Sequence, residues 1–227
     1  MNIKYFNTND KDVSEKKFNI FIGISLGTIK PINYDKVKEY IEWSLKYSRD
    51  SIIILVADKI AKYNYKIFSR YSTGKAENRA LKEGDKYIKF FRNIIKDYPK
   101  KIKVLRWDEI WNSQKEEMKD VLGQEYKENP VFKNKVNSFI INYSNHVSKK
   151  LSDKEIEYLS QYILYELCTL LDGITHDQTH YNLLLYPTFK TNGMSQTATN
   201  IINGREFPEL RNKLKLNNNM TFAEIYL

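Results

Sequence analysis

Six consecutive apolar residues, Ile52 to Ala57 within SIIILVAD, leave few folds open to this chain. The run does not alternate, so neither face of it suits water, and it falls far short of the roughly 20 residues that span a bilayer. It reads as a strand buried on both faces, the condition of a parallel sheet covered by helices. Asn19–Ser25 repeats the pattern and ends in Gly and Ser. KIKVLRW (Lys101–Trp107) supplies a third strand and YNLLLYP (Tyr181–Pro187) a last one. Between them run helical periods: Val37, Ile41 and Leu45, then Gly74–Lys96, Asp108–Val121, Pro130–Lys149 and Asp153–Leu171. Strands alternating with helices predict an α/β fold, a parallel sheet with helices on both faces. No repeat or Pro/Gly/Ser linker divides the chain. We therefore expect a flexible polar leader over residues 1–17, a single domain over 18–227, and a polar, Asn-rich tail closing it.

The lone cysteine, Cys168, excludes an internal disulfide framework and fits a reducing cytoplasm. No apolar stretch suggests an export signal or a membrane span, and a monomer is the default expectation. The net charge of +9 points to a polyanionic partner. Its distribution sharpens the point. Lys75, Arg79, Lys82, Lys86, Lys89, Arg92 and Lys96 recur at intervals of three and four along one predicted helix, on one side of it. Ala76, Ala80, Tyr87, Ile88, Phe91, Ile94 and Ile95 form the opposite, core-facing side, and Glu77, Glu83 and Asp85 lie off the basic arc. A row of like charges repels itself, and a row of phosphates offsets that cost. The stripe predicts nucleic-acid contact through backbone and shape rather than base reading.

Gly23-Ile24-Ser25-Leu26-Gly27 spells G-x-S-x-G, the pattern of a nucleophile elbow. A hydrolase of that kind also needs an oxyanion loop upstream and an acid and a histidine downstream. Only 24 residues precede Ser25. His146 sits in a Lys-rich helix, while His176 and His180 sit in THDQTH before the last strand. Their i,i+4 spacing would suit a metal on a helix, but the segment reads as a loop with no third ligand, so no metal site is predicted. Neither G-x-G-x-x-G nor a P-loop occurs, so nucleotide cofactors have no signature. Ser25 and Tyr186 both end strands, which places them together at the carboxyl edge of the sheet. Glu166, in the apolar run QYILYELCTLLDG, is the other anomaly, because burying an unpaired carboxylate costs several kcal/mol. Tyr162 lies one turn before it, and the two together make a clamp for an ammonium group.

G-x-S-x-G near the N-terminus, Y-x-x-x-E on a late helix and a tyrosine twenty residues later resemble, in order and spacing, the tRNA-dependent cyclodipeptide synthases. The resemblance runs from about Phe18 to Pro187. It implies a Rossmann-like catalytic domain similar to that of class I tyrosyl- and tryptophanyl-tRNA synthetases, acting as an aminoacyltransferase without cofactor. It further implies that Ser25 takes an aminoacyl group from tRNA, that Tyr162 and Glu166 hold its amino group, and that Tyr186 relays a proton. Gly23 would shape the turn, and the basic helix would bind tRNA. Phe21, Thr28 and Leu184 would line the aminoacyl pocket. Thr28 and Pro187 match the branch of the family in which Asn is replaced and Tyr-Pro appears. The residues taken alone leave two other readings open, a serine acyl hydrolase or acyltransferase without tRNA, and a non-catalytic tRNA-binding relative of a synthetase domain.

Overall fold

The computed structural model describes residues 2–26, 34–98, 101–188, 193–216 and 220–226. In chain order its elements are β1 (Asn2–Phe6), α1 (Asp10–Ser14), β2 (Ile20–Ser25), α2 (Tyr34–Tyr47) and β3 (Ile52–Ala57). These are followed by α3 (Lys62–Phe68), α4 (Thr73–Ile94), β4 (Ile102–Arg106), α5 (Ser113–Glu128), α6 (Pro130–His146) and α7 (Asp153–Asp172). A short hairpin of β5 (Ile174–His176) and β6 (Thr179–Tyr181) leads into β7 (Leu183–Thr188), α8 (Met194–Ile202), α9 (Pro208–Lys213) and β8 (Thr221–Tyr226). The main sheet has the order β1-β8-β7-β2-β3-β4, parallel throughout except where β1 meets β8.

The apolar strands occupy the middle because both their faces are covered. Phe21, Ile53, Leu55, Leu184 and Phe222 face α5, α6, α7 and α8 in one core. Ile20, Ile22, Ile54, Leu183 and Leu185 face α2 and α4 in the other. On this sheet α4 lies unusually close: a Cβ on Gly84 would stand 2.5 Å from Asp58 Cβ, so only glycine admits the contact. Asp58, just beyond β3, accepts from the Lys59 amide at 2.8 Å and faces Arg106 Nη1 at 3.2 Å. Burial pushes its carboxyl up, against the pull of Arg106.

Three expectations are corrected at the termini and the hairpin. Residues 1–17 are not a leader, since β1 pairs with β8 from Asn2↔Tyr226 to Phe6↔Phe222 and α1 follows it. Tyr181–Pro187 is not the last strand, and the tail is not merely polar, because β8 inserts between β7 and β1. THDQTH is a β-hairpin rather than a loop. Among the described residues, no helix is long and apolar enough to cross a membrane.

Candidate active site

Parallel pairing of β2 with β7 sets Phe21 against Leu184 and Ile22 against Leu185. Alternation along the strands then brings Gly23 and Ser25 onto the same face as Leu184 and Tyr186. The Ser25 hydroxyl, 5% exposed, reaches the Tyr186 hydroxyl at 3.1 Å. Gly23 makes the approach possible. A Cβ there would meet Leu184 Cδ1 at 3.0 Å and Tyr186 Cδ2 at 3.3 Å, so an added side chain would press on both and push them back slightly. Phe21 and Leu184 are buried one step below, as the floor under this pair. Thr28 lies outside the described residues, as does Gly27 of the G-x-S-x-G pattern.

Across this strand end runs α7, whose rotational phase is fixed at both ends. Its start is a capping box: the Ser152 hydroxyl accepts from the Glu155 amide, and Glu155 accepts from the Ser152 amide at 2.9 Å. Its end stops at Gly173, whose φ of 71° a side chain would resist. There Lys115, 2% exposed, donates to the Gly173 carbonyl at 2.7 Å and to Cys168 O at 3.3 Å. Held so, α7 turns Tyr162 toward Ser25 and Tyr186, with Glu166 one turn on. Burial pushes the Glu166 carboxyl up to about 7. Glu166 makes no ion pair with any described lysine or arginine. Burial first, and the charge of Glu166 next, raise both the Tyr162 and the Tyr186 phenols. Uncharged hydroxyls around one partly buried acid make a site that gains from a cation.

Two neighbours of Tyr186 escaped the sequence reading. Tyr143 of α6 stands close enough to raise both phenols further. Glu224 of β8 is the register partner of Tyr186 and 1% exposed. A charged residue inside the alternating TFAEIY was the available signal for it.

The histidines are elsewhere. His176 and His180 lie in the hairpin that precedes β7, at the amino end of the strands, where Asn19 Nδ2 donates to the His180 carbonyl. Ser25 ends β2, a six-residue strand about 20 Å long. His180 Nδ1 instead meets Thr175 Oγ1 at 3.1 Å. A Ser25–His176 or Ser25–His180 pair is therefore not formed.

All seven bases of the α4 stripe are exposed. From the edge of the arc, Glu83 reaches over it to pair with Arg79 and Lys86, 3.2 Å from each. Lys82, Lys89 and Arg92 have no ion pair with a described residue. Lys75 lies over the Tyr71 ring, and Lys96 donates to Asn93 Oδ1. Lys89, Arg92 and Lys96 share with Arg106 a groove of about 450 Å³.

No family model matches the chain, and no curated protein matches it in sequence. Solved structures do resemble it. A CDPS, or cyclodipeptide synthase, from Staphylococcus haemolyticus superposes with a TM-score of 0.72 at 22% identity, over 100% of both chains. A Mycobacterium tuberculosis cyclodipeptide synthetase, described as demonstrating kinship with type I tRNA synthetases, gives 0.73 at 13% identity over 97% of this chain and 90% of its own. The fold is that of the cyclodipeptide synthases. A further cyclodipeptide synthase, from Candidatus Glomeribacter gigasporarum and bound to Phe-tRNAPhe, gives 0.61 at 15% identity over 92% and 87%. On the cyclodipeptide-synthase fold, the Ser25–Tyr186 contact stands at the carboxyl ends of the parallel strands, where such sheets bind ligands.

The acid is the feature most open to measurement. In NMR of carbon-labelled glutamate, Glu166 should titrate near pH 7, neutral below and ionised above. Only the ionised form pairs with a cation, so a small organic ammonium ion should bind more weakly as the pH falls through that value and should itself lower the midpoint. A midpoint in the ordinary carboxylate range would contradict the burial described here.

Proposed function

We propose that this chain is a cyclodipeptide synthase, joining two amino acids delivered by tRNA into a 2,5-diketopiperazine. One observation carries the reading: Ser25, Tyr186, Tyr162 and Glu166 converge at the carboxyl edge of a sheet whose fold is shared with such enzymes.

Ser25 Oγ attacks the ester carbonyl of an aminoacyl-tRNA, and the leaving ribose oxygen takes the proton. An activated ester makes this feasible for a hydroxyl that has no histidine base. The amino group of the aminoacyl-enzyme sits as an ammonium against ionised Glu166, with the Tyr162 hydroxyl beside it. That amine, once it has given up its proton, attacks the ester carbonyl of a second aminoacyl-tRNA. A C–N bond forms, the ester C–O bond breaks, the departing ribose oxygen takes the proton, and a dipeptidyl-enzyme is left on Ser25. Its free amine then attacks the ester to Ser25, closing the ring, with Tyr186 passing a proton to the departing Oγ. Amino acids arrive already activated, so no ATP is consumed. Phe21 and Leu184 line the pocket for the first side chain, and their apolar character selects for an apolar one.

The outer face of α4 carries the RNA. Glu83 neutralises part of the charge at Arg79 and Lys86, so Lys82, Lys89 and Arg92 bear most of the phosphate contact, with Lys75 and Lys96 flanking them.

Mass spectrometry after incubation with total aminoacylated tRNA, without ATP, tests the reaction. Diketopiperazines from the wild type and none from Ser25→Ala are expected, and equal product from both would refute it. Lys89→Glu with Arg92→Glu should weaken tRNA use and flatten its dependence on salt, by roughly one unit of slope per lost phosphate contact. Turnover that keeps the wild-type salt response would remove α4 from the RNA interface.

A further inference from the structure

Of the phenols around the recess, one has no part in the reaction above. Phe132, Val136 and Ile140 bind α6 into the core it shares with α7. Tyr143 continues that row by one turn, and there it faces Tyr162 and Tyr186. Its ring stands edge-on to Phe68 of α3, with the centroids 5.1 Å apart and the planes at 80°. Lys149 lies over the other ring of that pair, donates to the Ile67 carbonyl and meets Glu155 of the α7 capping box at 3.5 Å. Helices α3, α6 and α7 thus join around the Tyr143 ring and hold it. Its hydroxyl, by contrast, makes no hydrogen bond with a described residue. Burial raises this phenol above its ordinary value, so it remains an uncharged donor at neutral pH.

The other groups of the recess are already engaged when the second aminoacyl-tRNA arrives. Ser25 carries the first acyl group, Tyr186 stands 3.1 Å from the Ser25 oxygen, and Tyr162 and Glu166 hold the amine. The attacked carbonyl must stand against that amine, hence beside Tyr162, and Tyr143 reaches the same place from a different helix. We propose that Tyr143 is a catalytic residue of the second transfer, its hydroxyl donating to the carbonyl oxygen of the incoming ester. The amine nitrogen bonds to the carbonyl carbon, and the π electrons pass to the oxygen, which accepts from Tyr143 Oη. As the carbonyl re-forms, the C–O bond to the ribose breaks and the ribose oxygen takes the proton of the nitrogen. Tyr143 ends the step protonated, as it began. A donor held in advance where charge develops stabilises the transition state more than the ground state. The role rests on the reaction proposed above, whereas the placement of the phenol rests on the fold alone.

The test separates the two transfers. Wild type and Tyr143→Phe are mixed with labelled aminoacyl-tRNA and quenched over a series of times, and intact mass reports the aminoacyl- and dipeptidyl-enzymes. Phenylalanine keeps the ring against Phe68 and removes only the hydroxyl. The variant should acylate Ser25 at the wild-type rate but form the dipeptidyl-enzyme about 100-fold more slowly, so that the aminoacyl adduct accumulates. With 3-fluorotyrosine in place of Tyr143, a stronger donor that keeps every contact, the second transfer alone should quicken. That variant serves if Tyr143→Phe does not fold, and an unchanged second transfer in it would overturn the proposal. So would a Tyr143→Phe enzyme that performs the second transfer at the wild-type rate, or one slowed equally in both transfers, the mark of a structural role. A wild type that turns over beside an unimpaired Tyr143→Phe leaves the reaction standing and removes Tyr143 from it. A wild type that forms no aminoacyl-enzyme overturns the reaction and this assignment together.

Discussion

The pairing of β2 with β7 is the constraint on which the site depends. Ser25 and Tyr186 are 161 residues apart in the chain, yet their hydroxyls meet at 3.1 Å. No loop has to be ordered for this contact to form. It follows from two apolar strands that pair in order to bury Phe21 against Leu184 and Ile22 against Leu185. The core-forming register also sets the position of the Ser25–Tyr186 pair, farther along the same face than Phe21 and Leu184. Gly23 is where the two demands meet, since the Leu184 side chain and the Tyr186 ring pack closely over the place a side chain would take.

Around that contact the molecule sorts its charges. Glu166 and Glu224 approach Tyr186 from the helix and from the sheet, and the hydroxyls of Ser25, Tyr162 and Tyr143 complete the surroundings. The bases lie on the outer side of α4, across the sheet from this face. The result is a cation-seeking recess on one side and an anion-seeking surface on the other. An aminoacyl ester carried on RNA presents an ammonium at its reacting end and phosphates along its length, which is the combination such a division suits. Simple serine esterases have no use for it.

Much of this was legible in the sequence, for physical reasons that also explain what was not. Strands β2, β3, β4 and β7 announce themselves because both faces are covered and their residues are apolar without alternation. The strands β1 and β8 do not: NIKYF is half polar as an edge strand tends to be, and TFAEIY is interrupted by the acid that the site buries. Ser25, Tyr162, Glu166 and Tyr186 stand out in the sequence because each is anomalous for its place, a polar group at a strand end or in an apolar helix. Glu224 was missed because the strand that carries it was missed. The spacing of the α4 bases was readable, but the position of Glu83 between two of them depends on side-chain reach that periodicity does not encode. The hairpin after Gly173 reads as a loop in the sequence because its turn residues, Asp177 and Gln178, dominate so short a segment.

The proposed function requires that Ser25 becomes acylated by an amino acid taken from tRNA. Its most direct test is the intact mass of the protein, quenched shortly after mixing with isotopically labelled aminoacyl-tRNA, followed by peptide mapping. The account predicts one aminoacyl adduct, labile as an ester and located on the peptide that contains Ser25. An adduct that persists unchanged in Ser25→Ala, or a wild type that consumes aminoacyl-tRNA into cyclic product with no acylated enzyme at any time, would contradict it.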